Sequence, residues 1–416
     1  MNEPVILAFS GGLDTSFCVP WLKETLGRPV VTVTVDTGGL DAEAAARLAE
    51  QARGLGAADH VLVDARQAFF DKVLRFLVMG NVRKGGLYPL CVGAERALQA
   101  QEVARAAAAL GSRTVAHGST AAGNDQVRFE VALRTLAPEL EILAPIRDGL
   151  RTRAEEVEYL ESRGLPVPPT GAAYSVNRGL WGVTIGGRET LGSAEPLPEE
   201  GWVLSRGAFE NPLPPSRHML VFSKGVPAAW DDEELDPVEL IERVEREAAA
   251  YGIGRGIHLG DTVLGTKGRV AFEAPAAEVL LTAHRELEKL VLTARQQRLK
   301  ELVAMPYGDW VHEGHHLEPA CRDAEALMLA SQERVTGHVR LLFRPGHVFV
   351  EGVTSPFSLL AASKGAYGEL AREWSAADAA GYSRLLAVPG KLHSRAGRFA
   401  PADAADAEPR NTKVSK

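Results

Sequence analysis

Cysteine is scarce in this chain. Cys18, Cys91 and Cys321 are scattered and odd in number. That argues against a disulfide framework and a cysteine-based zinc site, and suits the reducing cytosol. Long hydrophobic runs are also missing: no apolar stretch reaches the ~20 residues that span a bilayer. The start, MNEPVILAFSGG, lacks a basic segment leading into a long apolar run and cleavage site, so no secretory signal is expected. Positive charge is not in excess. The net charge is −8, which gives no electrostatic reason to expect nucleic-acid binding. There is no internal repeat.

What is present suffices for real cores: 416 residues, 45% of them hydrophobic, fill one large or two medium domains. Over the first 150 residues, β-branched runs alternate with alanine-rich stretches. Strands are expected at 4–10, 30–37, 60–65, 113–118 and 141–148. Helices are expected at 13–27, ended by Gly27, at 41–56, capped by Asp41, and at 93–111. Pro20 should kink the first of these. Apolar strands alternating with helices indicate an α/β fold with a doubly wound parallel sheet. A helix from 152 leads into a Pro/Gly-rich connector, which places a boundary near 168. Beyond it, strands at 218–225, 335–343 and 346–352 mix with helices at 236–252 and 277–305, suggesting an α+β domain. The organisation expected is 1–168, 169–380 and a C-terminal extension, 381–416, whose last stretch is a polar tail.

The strongest local feature is Ser10-Gly11-Gly12-Leu13-Asp14-Thr15-Ser16, directly after the first strand. Adjacent glycines let backbone approach a ligand closely. The following helix offers unpaired N–H groups and a positive dipole end to an anion. Ser10, Thr15 and Ser16 add hydroxyl donors. The lysine of a Walker loop is absent, and the pattern is not G-x-G-x-x-G. A second segment, AHGSTAAGNDQVRFE at 116–130, places Thr120, Asn124, Asp125, Gln126 and Arg128 on a glycine-containing loop after a strand. Ligands of open α/β sheets bind beyond the carboxyl ends of strands, so the two loops should be neighbours. An arginine suits a carboxylate clamp and an aspartate can hold an ammonium group, which points to amino-acid substrates.

The first loop is similar to the pyrophosphate loop of the N-type ATP pyrophosphatases. AFSGGLDTS and HGSTAAGNDQVRFE together resemble argininosuccinate synthase, and the second segment is highly specific to that family. The likeness continues through APIRD, AYSVNRGLWGVT, YGIGRG, GRVAFEAP, TAHRELEKLVLT and SQERVTGHVRL, and covers roughly 5–390. It implies an adenine nucleotide alpha hydrolase-like N-terminal domain, a synthetase domain and a C-terminal oligomerisation segment. It implies a cytoplasmic homotetramer using ATP and Mg²⁺, with citrulline and aspartate as small-molecule substrates and neither nucleic acid nor membrane as partner. ATP binding falls to Ala8, Phe9, Ser10, Gly11, Gly12, Leu13, Asp14, Thr15, Ser16, Val35, Ala116, His117 and Gly118. Thr120, Asn124 and Asp125 match aspartate-binding positions. Tyr88, Asn124, Arg128, Ser175 and Thr184 match citrulline-binding positions. Asn124, Asp125 and Arg128 carry the chemistry, with Asp125 orienting the amine. No side chain is assigned to a metal.

Departures from the family pattern cluster on the citrulline side. Gly93 stands where serine is usual, Gly260 for a glutamate, Phe272 for a tyrosine, Asn177 for an acid and Ala122 for a lysine. Either Asp261, Thr262 and Asn177 supply the missing contacts, or the substrate is a modified ureido acid such as an N-acylcitrulline. Other readings are a different pyrophosphatase-loop enzyme, disfavoured by the absence of a glutaminase domain, and a silent paralogue, disfavoured by the intact loop. Two further features read as non-functional and a third is open. His312-Glu313-Gly314-His315-His316 matches H-E-x-x-H, but Gly314 and Pro319 argue for a solvated connector rather than a zinc helix. Arg295, Arg298 and Lys300 read as a solvated or intersubunit face. Arg83-Lys84-Gly85-Gly86, just before Tyr88, reads either as a mobile substrate-side loop or as a plain surface turn.

Overall fold

The structure, a computed structural model, describes residues 3–169, 173–363 and 374–398. Described residues up to Leu359 form one compact unit and those after it a second.

The chain opens with β1 (Val5–Ala8), β2 (Val30–Asp36), β3 (Asp59–Asp64), β4 (Thr114–His117) and β5 (Glu141–Leu143). They pair in parallel in the order β3-β2-β1-β4-β5. The order reverses between β1 and β4, the switch point where doubly wound sheets take ligands. Side-chain alternation explains the two covered faces. Val5, Leu7 and Phe9 pack with Phe17 and Leu22 on one side. Ile6, Val31 and Val33 pack with Ala100 and Leu133 on the other.

The connecting helices are α1 (Leu13–Leu26), α2 (Ala42–Gly54), α3 (Arg66–Phe69), α4 (Arg75–Gly80), α5 (Arg96–Ala109), α6 (Asp125–Leu136), α7 (Pro145–Gly149) and α8 (Arg153–Glu161). Asp41 caps α2, accepting from the Ala44 N–H at 2.7 Å, and Gly27 ends α1 in the left-handed region, both as expected. α1 runs on through the buried Pro20. The strand expected at 141–148 stops at Leu143, because Pro145 starts α7 from its first turn, where a missing N–H costs nothing. The helix expected at 93–111 opens as a 3-10 turn, Val92–Glu95. The sequence reading assigns nothing to 66–80. There α3 and α4 are joined by a π-helical turn, Phe70–Leu74, that turns Phe69, Phe70, Val73 and Leu74 into the core.

Two antiparallel sheets follow. β6 (Ser175–Gly179), β7 (Gly182–Gly186), β11 (Arg255–Asp261) and β12 (Lys267–Glu273) pair in the order β11-β12-β7-β6. β8 (Ser216–Ser223), β9 (Val226–Trp230), β10 (Glu233–Glu234), β13 (Gly337–Arg344) and β14 (His347–Thr354) pair as β10-β9-β8-β13-β14. α9 (Pro237–Ala249), α10 (Pro275–Val291), α11 (Ala294–Glu313) and α12 (Pro319–Ser331) accompany them. Their core includes Phe222, Trp230, Val244 and Leu280, and is continuous with Phe69, Leu77 and Leu98 from the first part. The single helix expected at 277–305 is two. Leu292 turns extended, and Thr293 caps α11 in a capping box with Gln296. After α13 (Leu359–Ala362) come α14 (Ala376–Leu386) and α15 (Val388–Arg398), neither of which buries a residue. The expected polar tail beyond 398 lies outside the described residues.

Candidate active site

A cleft of about 1570 Å³ opens at the carboxyl ends of β1, β2 and β4 and is closed opposite by β6, β7, β11 and β12. Its floor is the Ser10–Ser16 loop. Gly12 precedes α1 with no side chain bonded to the first-turn N–H groups, which stay open to an anion. Gly11 sits at φ +75°, and a Cβ there would stand 2.3 Å from Leu48 Cδ2. Gln51 pins the loop, donating to the Gly11 carbonyl at 2.8 Å and to Ser16 Oγ at 3.0 Å. Thr15 Oγ1 donates to the Gly12 carbonyl at 3.2 Å. Of the expected nucleotide residues, Ala8, Phe9, Ser10, Gly12, Leu13, Asp14, Thr15, Val35, His117 and Gly118 line the cleft. Gly11, Ser16 and Ala116 do not; Ser16 and Ala116 are fully buried behind it. Gly118 abuts the floor, since a Cβ there would stand 2.9 Å from Thr15 Cγ2.

The segment after β4 is not all loop. α6 starts at Asp125, so Asp125, Gln126 and Arg128 lie in its first turn, and Asn124 precedes it. Asn124 Oδ1 accepts from the Val263 N–H at 3.0 Å, tying this segment to the β11–β12 turn. Asp125 accepts from Arg96 Nε at 3.0 Å and from Arg128 Nη1 at 2.9 Å. Burial pushes its carboxyl up, but Arg96 and Arg128 together hold it below the usual carboxylate range. Arg128 is buried and also donates from Nε to the His312 carbonyl at 2.7 Å. Behind Arg96 lies Glu95, buried, receiving Arg96 Nη1 at 2.9 Å and Thr37 Oγ1 at 2.7 Å. Burial raises Glu95 to about 7 despite these partners. The result is a chain of alternating charge: Glu95, Arg96, Asp125, Arg128.

The opposite wall carries Ser175, Asn177, Thr184, Gly260 and Thr262, all lining the cleft with Tyr88 and Thr120. It is held by Gly38, whose left-handed backbone lets the β6–β7 turn come close. The Leu180 N–H donates to the Thr37 carbonyl at 2.9 Å, and a Cβ on Gly38 would stand 2.5 Å from Leu180 N. Tyr88 is buried, with Phe272 edge-on at 5.2 Å, His258 stacked at 5.4 Å and His312 edge-on at 6.3 Å. Burial pushes its phenol up. Gly93 leaves room beside Arg128: a Cβ there would stand 3.3 Å from Nη2. Asp261, a candidate substitute contact, is paired with Lys267 at 2.5 Å.

Two expectations are corrected here, and a third, left open, is decided. His312 is no part of a solvated connector: it ends α11, is buried and faces Arg128. Burial, then Arg128 and Lys84, pull it down to about 3, so it stays neutral. His316 is buried too, beyond the break at Gly314, so the pair never shares a helix face. Lys300 is not on a solvated face. It is buried, donating to Glu288 at 2.5 Å and to the Met79 carbonyl at 2.8 Å. Lys84 is fixed by Asp309 at 2.7 Å and by a bridge to Tyr88, so 83–86 is an anchored turn. Sequence reasoning missed Glu95, Arg96, His258 and His312. Only Glu95-Arg96 left a signal, two opposite charges opening an alanine-rich helix.

The five-stranded parallel sheet, with an open glycine loop at its switch point, defines a HUP-type nucleotide-binding enzyme. Residues 4–166 match the family described as "Arginosuccinate synthase N-terminal HUP domain", and 174–393 its "C-terminal domain". The chain is 40% identical over 402 residues to an argininosuccinate synthase of Xanthomonas campestris pv. campestris, covering 95% of this chain and 100% of that one. An argininosuccinate synthase of Methanocaldococcus jannaschii is 39% identical over 362 residues, 86% of this chain and 90% of its own. One from Dehalococcoides mccartyi is 36% identical over 398 residues, 95% and 97%. The chain belongs to the argininosuccinate synthase family, and its function is that of a ligase joining citrulline and aspartate with ATP in arginine biosynthesis. Among the described residues, no helix is long and apolar enough to cross a membrane.

Proposed function

We propose that this cleft carries out both steps of argininosuccinate formation with the residues that line it. The observation that carries the reading is that the phosphate loop, the Asn124–Arg128 segment and the β6–β7–β12–β11 wall face one cavity. The ureido oxygen of citrulline attacks the α-phosphorus of ATP and pyrophosphate leaves, giving a citrullyl-adenylate. The aspartate amine then attacks the activated carbon, loses a proton and displaces AMP. The open N–H groups of α1 and the hydroxyls of Ser10 and Thr15 hold the phosphates where charge builds on the leaving group. Arg128, fixed by Asp125 and His312, and Tyr88 place citrulline. Thr120, Asn124 and Asp125 place aspartate, with Asp125 kept ionised to hold the amine. Ser175 and Thr184 meet the amino-acid end of citrulline. Most of the rate then comes from positioning.

Asp14 lines the cleft in the first turn of α1 beside these hydroxyls, a hard-oxygen donor set that fits Mg²⁺ entering with ATP. Bound there, the ion would neutralise charge on the departing pyrophosphate. The division of labour is a nucleotide domain over 1–168 and a substrate and multimerisation domain over 169–380. The C-terminal extension of a cytoplasmic homotetramer follows; the exposed apolar side chains of α14 and α15 support that last reading.

The test is pyrophosphate release with ATP, Mg²⁺ and aspartate, comparing citrulline, N-acetylcitrulline and no ureido compound. Citrulline-dependent release is expected. Release with the acylated compound alone would move the substrate assignment, and none at all would end the reading.

A further inference from the structure

We propose that His258 is the specificity-determining residue that reads the α-nitrogen of the ureido substrate. The inference deepens the proposed function and rests on its placement of citrulline between Tyr88 and the β6–β7–β12–β11 wall.

His258 and Gly260 lie two residues apart on β11 and so share a face. The imidazole leans over Gly260: a Cβ there would stand 2.5 Å from His258 Nε2. On its other side the ring stacks on Tyr88, 5.4 Å between centroids and 19° between planes. A Cβ on Gly85 would stand 3.3 Å from its Cε1. The ring is therefore held in place by its neighbours, and it lines the cleft half-buried. Among the described residues, neither ring nitrogen has a hydrogen-bond partner. The ring is thus fixed at the cleft wall with both nitrogens uncommitted to protein groups, so either can meet a ligand.

The charges around it point to which part of the ligand that is. Asp261 is paired with Lys267, Lys84 with Asp309 at 2.7 Å and Arg178 with Glu245 at 3.1 Å. Arg269 donates to the carbonyls of Glu189, Gly192 and Glu195. Asp125 and Arg128 bind each other across the cleft from this wall. The amino-acid end is left to neutral groups: Ser175, Asn177, Thr184 and His258. Burial, then Lys84, lowers the protonation of His258, so at neutral pH one ring nitrogen offers a lone pair. That is the most basic free acceptor on this wall, and the α-nitrogen is the donor of the amino-acid head. A residue larger than glycine at 260 would displace the ring and with it the contact.

The test uses the full-length enzyme with His258→Leu and His258→Gln, assayed with citrulline and with 5-ureidopentanoate, which lacks the α-nitrogen. Loss of one such hydrogen bond should raise the citrulline KM about tenfold in the leucine variant. KM for ATP and aspartate should stay within about twofold, and glutamine, whose amide oxygen accepts, should recover most of the loss. The preference for citrulline over 5-ureidopentanoate should shrink by the same factor. An unchanged citrulline KM, or equal losses with both compounds, overturns the inference while leaving the reaction intact. No citrulline-dependent turnover by the wild type would instead overturn the reading on which it rests.

Discussion

Arg128 is the residue on which most of the cleft converges. Its three nitrogens serve Asp125, the His312 carbonyl and the His312 ring. A lysine keeps the charge but has no planar fork to span those partners. Arg128→Lys should therefore lower kcat/KM for citrulline by ~100-fold or more, with ATP binding little changed, as steady-state kinetics would measure. Glu95 supplies a pH prediction. Its pKa is raised to about 7, above that of an unfolded glutamate, so the folded state favours the protonated form. The stability this contributes is complete below the unfolded value, near 4.5, and is lost as pH rises through about 7. Glu95→Gln keeps the acceptor for Thr37 without the titration. Across that pH window the variant should gain stability relative to the wild type, as thermal unfolding at a series of pH values would record.

At the scale of elements, the wall facing the phosphate loop depends on one turn against another. Gly38 holds φ +107°, and the Leu180 amide fills the space a side chain would need. Gly38→Ala should push the β6–β7 hairpin away, raising the citrulline KM ~10-fold or more while ATP binding changes less. α10 and α11 are coupled differently. Lys300 reaches back from α11 to Glu288 on α10, which also receives Asn81 Nδ2 at 2.6 Å and Gln332 Nε2 at 2.8 Å. Burial pulls Lys300 down, and Glu288 opposes it. Lys300→Met would leave the Glu288 carboxylate buried without its cation, a loss of ~3–5 kcal/mol that denaturant unfolding would measure.

At the scale of the whole molecule, the described residues of the second compact unit form no buried core among themselves. α14 and α15 bury nothing, and Tyr382, Leu385, Leu386 and Leu392 are each more than half exposed. Two short helices with so much apolar surface are marginal alone in water. In the proposed homotetramer another copy of the chain would cover them. Sedimentation should give a tetramer for the full chain and a smaller species once residues from 374 on are removed. The active-site cleft lies wholly within the first unit.

The sequence alone determined the parallel sheet, since strand and helix periodicities and their alternation are local properties. It determined the phosphate loop for the same reason: glycines, hydroxyls and a helix start are adjacent in the chain. The two segments AFSGGLDTS and HGSTAAGNDQVRFE were enough to resemble one family. Other features were illegible because they depend on distant partners. Lys300 reads as a solvated cation until Glu288 and the Met79 carbonyl meet it in the interior. His312 reads as part of a connector until α11 carries it against Arg128. The break at Leu292–Thr293 had a local signal, the Thr293/Gln296 capping box, that the surrounding helical pattern masked. The departures at Gly93, Gly260 and Phe272 could be seen in the sequence, but not that Gly260 makes room for the ring of His258. Chain-local chemistry placed the Ser10–Ser16 floor of the cleft. The opposite wall is assembled from strands far apart in sequence, so only the tertiary structure decided it.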